Sequence, residues 1–169
     1  MIKIEYSELL TELREVARDA GSEIIKIYES SFDINYKGDG SPVTLADQAS
    51  EKLILSQLKK IIPNIPIVSE ENASSHELEP GDKFFLIDPL DGTKEFLKKD
   101  GLGSFTVNIG LIENGIPTLG VVFAPALNRM FFASNLTGAF EESENGLNEI
   151  KIREVPNSGP VAVASLSHR

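Results

Sequence analysis

Cysteine and tryptophan are both missing from this 169-residue chain, and histidine occurs only at positions 76 and 168. Without Cys there can be no disulfide and no thiolate-bound metal, which is compatible with a reducing compartment. Two His are too few for an ordinary zinc site. Long apolar runs are missing as well, since none approaches the roughly 18 residues of a membrane span. Residues 1–10 carry Glu5 and Glu8 where a secretory signal would have its apolar core. Positive charge is scarce, with 16 Lys+Arg against 26 Asp+Glu and a net charge of −10, so the average field repels nucleic-acid backbones and anionic membranes. These absences point to a cytoplasmic protein and away from polymeric nucleic acid and a transmembrane segment; peripheral association with the inner face of the membrane stays open. A small anionic substrate also stays open, because a bound cation can invert the local field of a carboxylate cluster.

What is present suits one packed core: 41% hydrophobic and 25% charged residues is the balance of an ordinary globular protein. Across residues 9–28, Leu9, Leu13, Val16, Ala17, Ala20, Ile24, Ile27 and Tyr28 recur with the 3.6-residue period of an amphipathic helix, with Ser7 as its candidate N-cap. After the turn-rich segment 37–42, Thr44 is placed to cap a second helix whose apolar face is Ala46, Ala49, Leu53, Ile54, Leu58 and Ile61, ended by Pro63. Residues 65–69 read as a short strand followed by a polar loop as far as Lys83. Residues 84–87 are apolar on both faces and read as a buried strand ending at Asp88. Phe105, Val107, Ile109 and Leu111 alternate with polar or small residues up to a hairpin turn at Asn114-Gly115, with a return strand over 117–123. Residues 129–133, 139–141, 150–152 and 161–165 read as further short strands. Two helices and then a meander make the fold class α+β, with the helices packed on a mainly antiparallel sheet.

The segment with the most chemistry is Asp88-Pro89-Leu90-Asp91-Gly92-Thr93, where a strand leaves the sheet. Two carboxylates three residues apart, separated by a Pro that fixes the turn, can aim at one point with the Leu90 carbonyl between them. Such hard oxygen donors suit Mg²⁺. Glu70 also comes just after a strand; if the strands are neighbours, Glu70, Asp88 and Asp91 converge, and like charges that close call for a cation. Residues 93–97 form a candidate helical turn whose free N–H groups would bind phosphate. The alternative is structural: Asp-Pro and Asp-Gly are common turn formers, and Asp88 could merely cap the next turn. Asp47, three residues after Thr44, likewise reads from position alone as a capping residue.

Several segments together resemble the inositol monophosphatase superfamily, most closely its bacterial 3'(2'),5'-bisphosphate nucleotidase branch, which belongs to sulfur metabolism. Asp88 to Thr93 is similar to the family's Asp-Pro-hydrophobe-Asp-Gly-Thr signature. Ser41-Pro42-Val43-Thr44-Leu45-Ala46-Asp47 resembles the segment opening its second helix, and Val68-Ser69-Glu70-Glu71 its Glu-Glu segment. Thr93-Lys94-Glu95-Phe96 and Ser165-Leu166-Ser167-His168 resemble the nucleotidase branch in particular. The fold implied is the N-terminal part of the layered α/β/α/β/α sugar-phosphatase fold.

By that resemblance Glu70, Asp88, Asp91 and the Leu90 carbonyl would hold magnesium, about two or three ions per complete site. Residues 90–93, namely Leu90, Asp91, Gly92 and Thr93, would cradle phosphate with Glu70 beside it. Glu70 would help activate water for in-line attack, and Asp47 and the Thr93 hydroxyl would position it. Lys37 would belong to a flexible substrate loop, although a lone Lys beside Gly-Asp-Gly also reads as a solvated turn. The implied substrate is adenosine 3',5'-bisphosphate, losing its 3'-phosphate to give AMP. An inositol or other sugar phosphatase, and a non-catalytic metal- or phosphate-binding module, are the alternatives. Family members include monomers and dimers, so a homodimer is an option. They continue for about another hundred residues, typical of one more domain, with a Trp-Asp-x-Ala-Ala motif that supplies another metal-binding carboxylate. The expectation is therefore that residues 1–169 form the N-terminal metal- and phosphate-site domain, weakly active or inactive alone.

The remaining signals carry less. Gly38-Asp39-Gly40 and Gly101-Leu102-Gly103 do not complete a dinucleotide fingerprint. His76 is expected to be exposed, and neither it nor His168 has a Ser and an Asp placed for a triad. The phenylalanines in strand positions, Phe84, Phe85, Phe105, Phe123, Phe131 and Phe132, read as core.

Overall fold

A computed structural model describes residues 5–30, 34–36, 42–77, 79–99 and 101–163. In chain order, α1 is Tyr6–Glu29, β1 Ile34–Tyr36, β2 Pro42–Thr44, α2 Leu45–Ile61, β3 Ile67–Ser69, α3 Ala73–His76, β4 Lys83–Asp91 and α4 Thr93–Lys98. The meander then runs through β5 Thr106–Glu113, β6 Ile116–Ala124, a 3-10 turn Pro125–Leu127, β7 Arg129–Ser134, β8 Gly138–Ser143 and β9 Gly146–Ile150. Strands β3 to β9 form one sheet in sequence order; only the β3–β4 pair is parallel, and the rest is antiparallel. The expected α+β class, helices on a mainly antiparallel sheet, is the observed one. None of the described helices is long and apolar enough to cross a membrane.

The 3.6-residue period places Leu9, Leu13, Val16, Ala17, Ala20 and Ile24 on the buried side of α1. That side packs on β5 to β7 and on α2. Gly21 lets the helix approach the sheet closely, because a Cβ there would sit 2.5 Å from the Phe123 ring. The strand residues beneath the helices, Phe85, Ile87, Val107, Ile109, Leu111, Leu119, Val121 and Met130, complete the core. In α2, Ala46, Asp47, Ser50, Ile54 and Leu58 are buried, with Asp47 in the first turn and Lys59 and Lys60 in the last, the polarity that suits a helix dipole. Tyr28, Phe96 and Phe105 pack with ring centroids 5.0–5.3 Å apart, pinning α4 between the end of α1 and the entry to β5.

Several expectations need correction. The α1 N-cap is Glu5, whose carbonyl accepts from the Leu9 N–H at 3.0 Å, and Ser7 lies inside the helix; the first apolar residue of the pattern marked the start two residues late. The loop between β3 and β4 contains α3, a single turn too short to carry a periodic signal. Strand β4 is not buried on both faces: Leu86 is 49% exposed, because α1 and α2 cover one face of the sheet only. It also runs on through the signature to Asp91, with an irregular register between Asp88 and Asp91. Among the described residues the last strand is Gly146–Ile150, not 150–152, since the β8–β9 hairpin turn at Ser143–Gly146 sets its start. Val161 and Val163 show that β-branched residues alone do not make a strand: residues 161–163 pair with nothing in the sheet.

Candidate metal and phosphate site

Three segments meet at the end of β3 and β4. The two strands are parallel, with Ser69 opposite Ile87, so Glu70 and Asp88 each come one residue later at the same edge of the sheet. The Glu70 N–H continues the ladder to the Ile87 carbonyl at 3.1 Å. The sequence expectation that these strands are neighbours is met, and Glu70, Asp88 and Asp91 share one corner.

Asp88 is half-buried, and its Oδ1 accepts from the Leu90 N–H at 3.2 Å, an Asx-type turn that the intervening Pro89 favours. Burial, the Glu70 carboxylate and then Asp91 push the Asp88 carboxyl up to about 8, against the smaller opposing effect of the Leu90 N–H. Among the described residues, no three Asp, Glu or His side chains close into a ready-made metal cage. The repulsion on Asp88 and the open set of oxygen donors still fit a hard cation that takes a few carboxylates and a carbonyl and keeps several waters. A cation bound at this corner would relieve the repulsion that its neighbours exert on Asp88.

The segment after Asp91 is shaped by Gly92, whose φ of 85° lies in the left-handed region; a Cβ there would stand 2.7 Å from the Ser104 carbonyl oxygen. This turn starts α4, and the Thr93 hydroxyl donates back to the Leu90 carbonyl at 3.2 Å. The same carbonyl keeps a second lone pair for another partner. On the neighbouring strand Asn108 lies opposite Asp88, and its Nδ2 is 3.4 Å from Asp91 Oδ2. Beside this corner the uncovered face of the sheet forms a trough of about 850 Å³, lined by Glu70, Asp88 and Asn108 and continuing over Leu86, Gly120 and Val122.

Asp47 is 1% exposed in the first turn of α2, where it suits the helix N-terminus as its position suggested. Lys37, Gly38-Asp39-Gly40, Ser41 and the segment Ser165-Leu166-Ser167-His168 lie outside the described residues. His76 is exposed as expected, yet its Nε2 is 2.8 Å from the Ser69 carbonyl. Three supporting side chains escaped the sequence reading. Ser50 is fully buried and donates to the Pro89 carbonyl at 2.8 Å. Glu51 accepts from the Ser69 hydroxyl. Asn108 is the third. A signal was present for two of them: a Ser and a Glu three and four residues after Asp47 share its helix face, whereas Asn108 is one of several polar or small residues that alternate along β5.

The profile of the inositol monophosphatase family matches residues 5–168. The chain belongs to that family. It is 41% identical over 163 residues to the 3'(2'),5'-bisphosphate nucleotidase CysQ of Salmonella typhimurium, covering 95% of this chain and 64% of that protein. The Escherichia coli K12 protein of the same name is 39% identical over the same shares. Among solved structures of the family, CysQ from Bacteroides thetaiotaomicron superposes with a TM-score of 0.64 at 34% identity, covering 85% of this chain and 52% of that one. The Thermotoga maritima IMPase superposes with a TM-score of 0.70 at 31% identity, covering 82% and 55%. The chain thus spans just under two thirds of the curated family members it matches and about half of the solved ones.

Proposed function

We propose that this chain supplies the acidic and phosphate-binding part of a magnesium-dependent phosphomonoesterase that hydrolyses the 3'-phosphate of adenosine 3',5'-bisphosphate to AMP and phosphate. The observation that carries this reading is the corner where Glu70, Asp88 and Asp91 meet, with the Asp88 carboxyl pushed up to about 8 by burial and by its acidic neighbours. The similarity to proteins named as bisphosphate nucleotidases supports the substrate class.

In this reading Glu70, Asp88, Asp91 and the Leu90 carbonyl hold the metal. When bound, magnesium supplies Lewis-acid stabilisation of the charge on the transferring phosphoryl group. Glu70 takes the proton of the attacking water. Asp47 and the Thr93 hydroxyl orient that water; the hydroxyl is already directed, since its proton goes to the Leu90 carbonyl and its lone pairs are left to accept. Gly92 makes the left-handed turn that presents the backbone of residues 90–93 to the phosphate. Lys37 is the remaining substrate-binding candidate. The protein works in the cytoplasm on a small nucleotide, as a monomer or a homodimer.

The similarity to the Thermotoga IMPase favours a second reading, an inositol phosphatase using the same acids. Phosphate release from adenosine 3',5'-bisphosphate and from inositol 1-phosphate, with and without Mg²⁺, by this chain and by one extended to the length of its curated relatives, separates the two. Magnesium-dependent turnover that prefers the nucleotide supports the first reading, and a preference for the inositol ester supports the second. Absence of turnover on both esters by the extended chain, with metal still bound, would leave a metal- and phosphate-binding module.

A further inference from the structure

The supporting residues Ser50 and Glu51 are adjacent on α2, yet they reach different strands. Ser50 Oγ donates to the carbonyl of Pro89, the residue between Asp88 and Leu90 on the β4 side. Glu51 Oε1 accepts from Ser69 Oγ, the residue just before Glu70 on the β3 side. Both anchor points are out of solvent, since Ser50 and Ser69 are each 0% exposed. On the far side of Ser69, the Ser75 hydroxyl accepts from the Ser69 backbone N–H at 3.0 Å, and His76 Nε2 meets the Ser69 carbonyl. The backbone before Glu70 is therefore held from two directions.

We propose that Ser50 and Glu51 are positioning residues: from one turn of α2 they fix the separation and orientation of the two strand ends that carry Glu70 and Asp88 to Asp91. This rests on the reading of those acids as a metal site. The carboxylates repel one another, and a parallel strand pair held by few ladder bonds beyond Ser69 and Ile87 would let its ends splay. A helix that bonds to a backbone carbonyl on one strand and to a side chain on the other resists that movement. In this role Glu51 acts through its acceptor oxygen and not through its charge or as a ligand, which separates it from Glu70.

The test uses the intact chain with Mn²⁺ as a paramagnetic probe, titrated by electron spin resonance, alongside thermal melting. Asp88→Asn is expected to abolish most binding. Ser50→Ala and Glu51→Ala are each expected to weaken Mn²⁺ binding about tenfold, as loss of a ligand-orienting partner does. Glu51→Gln, which keeps the acceptor oxygen, is expected to stay within about twofold of the parent. If Glu51→Ala does not fold, Ser69→Ala removes the same hydrogen bond from the other side, and Ser69→Thr restores it. Unchanged affinity in Ser50→Ala and Ser69→Ala, with Asp88→Asn defective, would overturn the positioning role alone. A Glu51→Gln variant as weak as Glu51→Ala would make Glu51 a charge partner or ligand and also overturn it. Should Asp88→Asn bind like the parent, the metal-site reading and the proposal resting on it both fall.

Discussion

Strands β4 and β5 carry a carboxylate at each end of one ladder, and the two ends have opposite electrostatics. At one end Lys83 lies opposite Glu113, whose carboxylate takes Lys83 Nζ at 2.8 Å, the Thr118 hydroxyl at 2.8 Å and the Tyr6 hydroxyl. Burial works to raise the Glu113 carboxyl, but hydrogen bonds from Lys83, Tyr6 and Thr118 outweigh it and hold the group down at about 2. The same contact raises the Tyr6 hydroxyl, chiefly through its hydrogen bond to Glu113. At the other end Asp88 faces Glu70 and Asp91, with only the Leu90 N–H to help it, and is pushed up to about 8. Satisfied acids tie elements together, here the start of α1 to the edge of the hairpin. Acids left crowded destabilise the fold and are worth keeping only where something else is bound.

The sharpest way to break this contrast is Asp88→Asn. Phosphate release by a chain extended to the length of its curated relatives and loaded with magnesium is expected to fall at least about a hundredfold, because even partners one step removed from a metal ligand cost 10–100-fold. In the metal-free chain the same change is expected to raise the melting temperature at pH 8, since it removes a charge that folding crowds. A protein that lost activity and stability together would place Asp88 with Glu113 as a structural acid. Next in size is Gly92→Ala, which forces a Cβ into the left-handed turn and against the Ser104 carbonyl. It is expected to cost about 2 kcal/mol of stability, read by denaturant titration, and to lower phosphate turnover with it. Glu113→Gln is expected to cost about 1–2 kcal/mol while leaving Mn²⁺ affinity unchanged, so a metal-binding defect there would contradict the division between the two ends.

Much of this division was legible in the residue pattern. The period of α1 and α2, the alternation of β5 and the Asn114-Gly115 turn obey local rules, and all are present. The signature acids also stood out, because Asp-Pro-Leu-Asp-Gly-Thr at a strand exit concentrates oxygen donors in six residues. What stayed hidden is what only tertiary contact creates. Tyr6 and Glu113 are 107 residues apart in sequence, and Arg14 and Arg18 reach across from α1 to share Glu142 on β8. Nothing local distinguishes those carboxylates from solvated ones. Leu86 misled for the same reason: an apolar residue on a strand reports an apolar preference, not which face a helix covers.

The smallest expected effect, and the one that tests both ends at once, is the pH dependence of stability in the metal-free chain. Glu113 titrates near 2 in the folded chain against an ordinary value of 4.5, so its contribution is present above pH 4.5 and is lost as pH falls toward 2. Asp88 has the opposite sign. Its ordinary value is 3.8 and its folded value about 8, so between these the folded chain holds a proton that the unfolded chain has released, and stability falls as pH rises through that window. The melting temperature is therefore expected to peak near pH 4–5 as far as these two groups decide it, and to fall away on both sides. Melting curves from pH 2 to 9 should show Glu113→Gln flattening the acid limb and Asp88→Asn the alkaline one. Saturating Mg²⁺ should flatten the alkaline limb of the parent as well, because a bound cation relieves the same repulsion that the substitution removes. An alkaline limb that survives both treatments would mean that the crowding of Glu70, Asp88 and Asp91 is not what the fold carries at that corner.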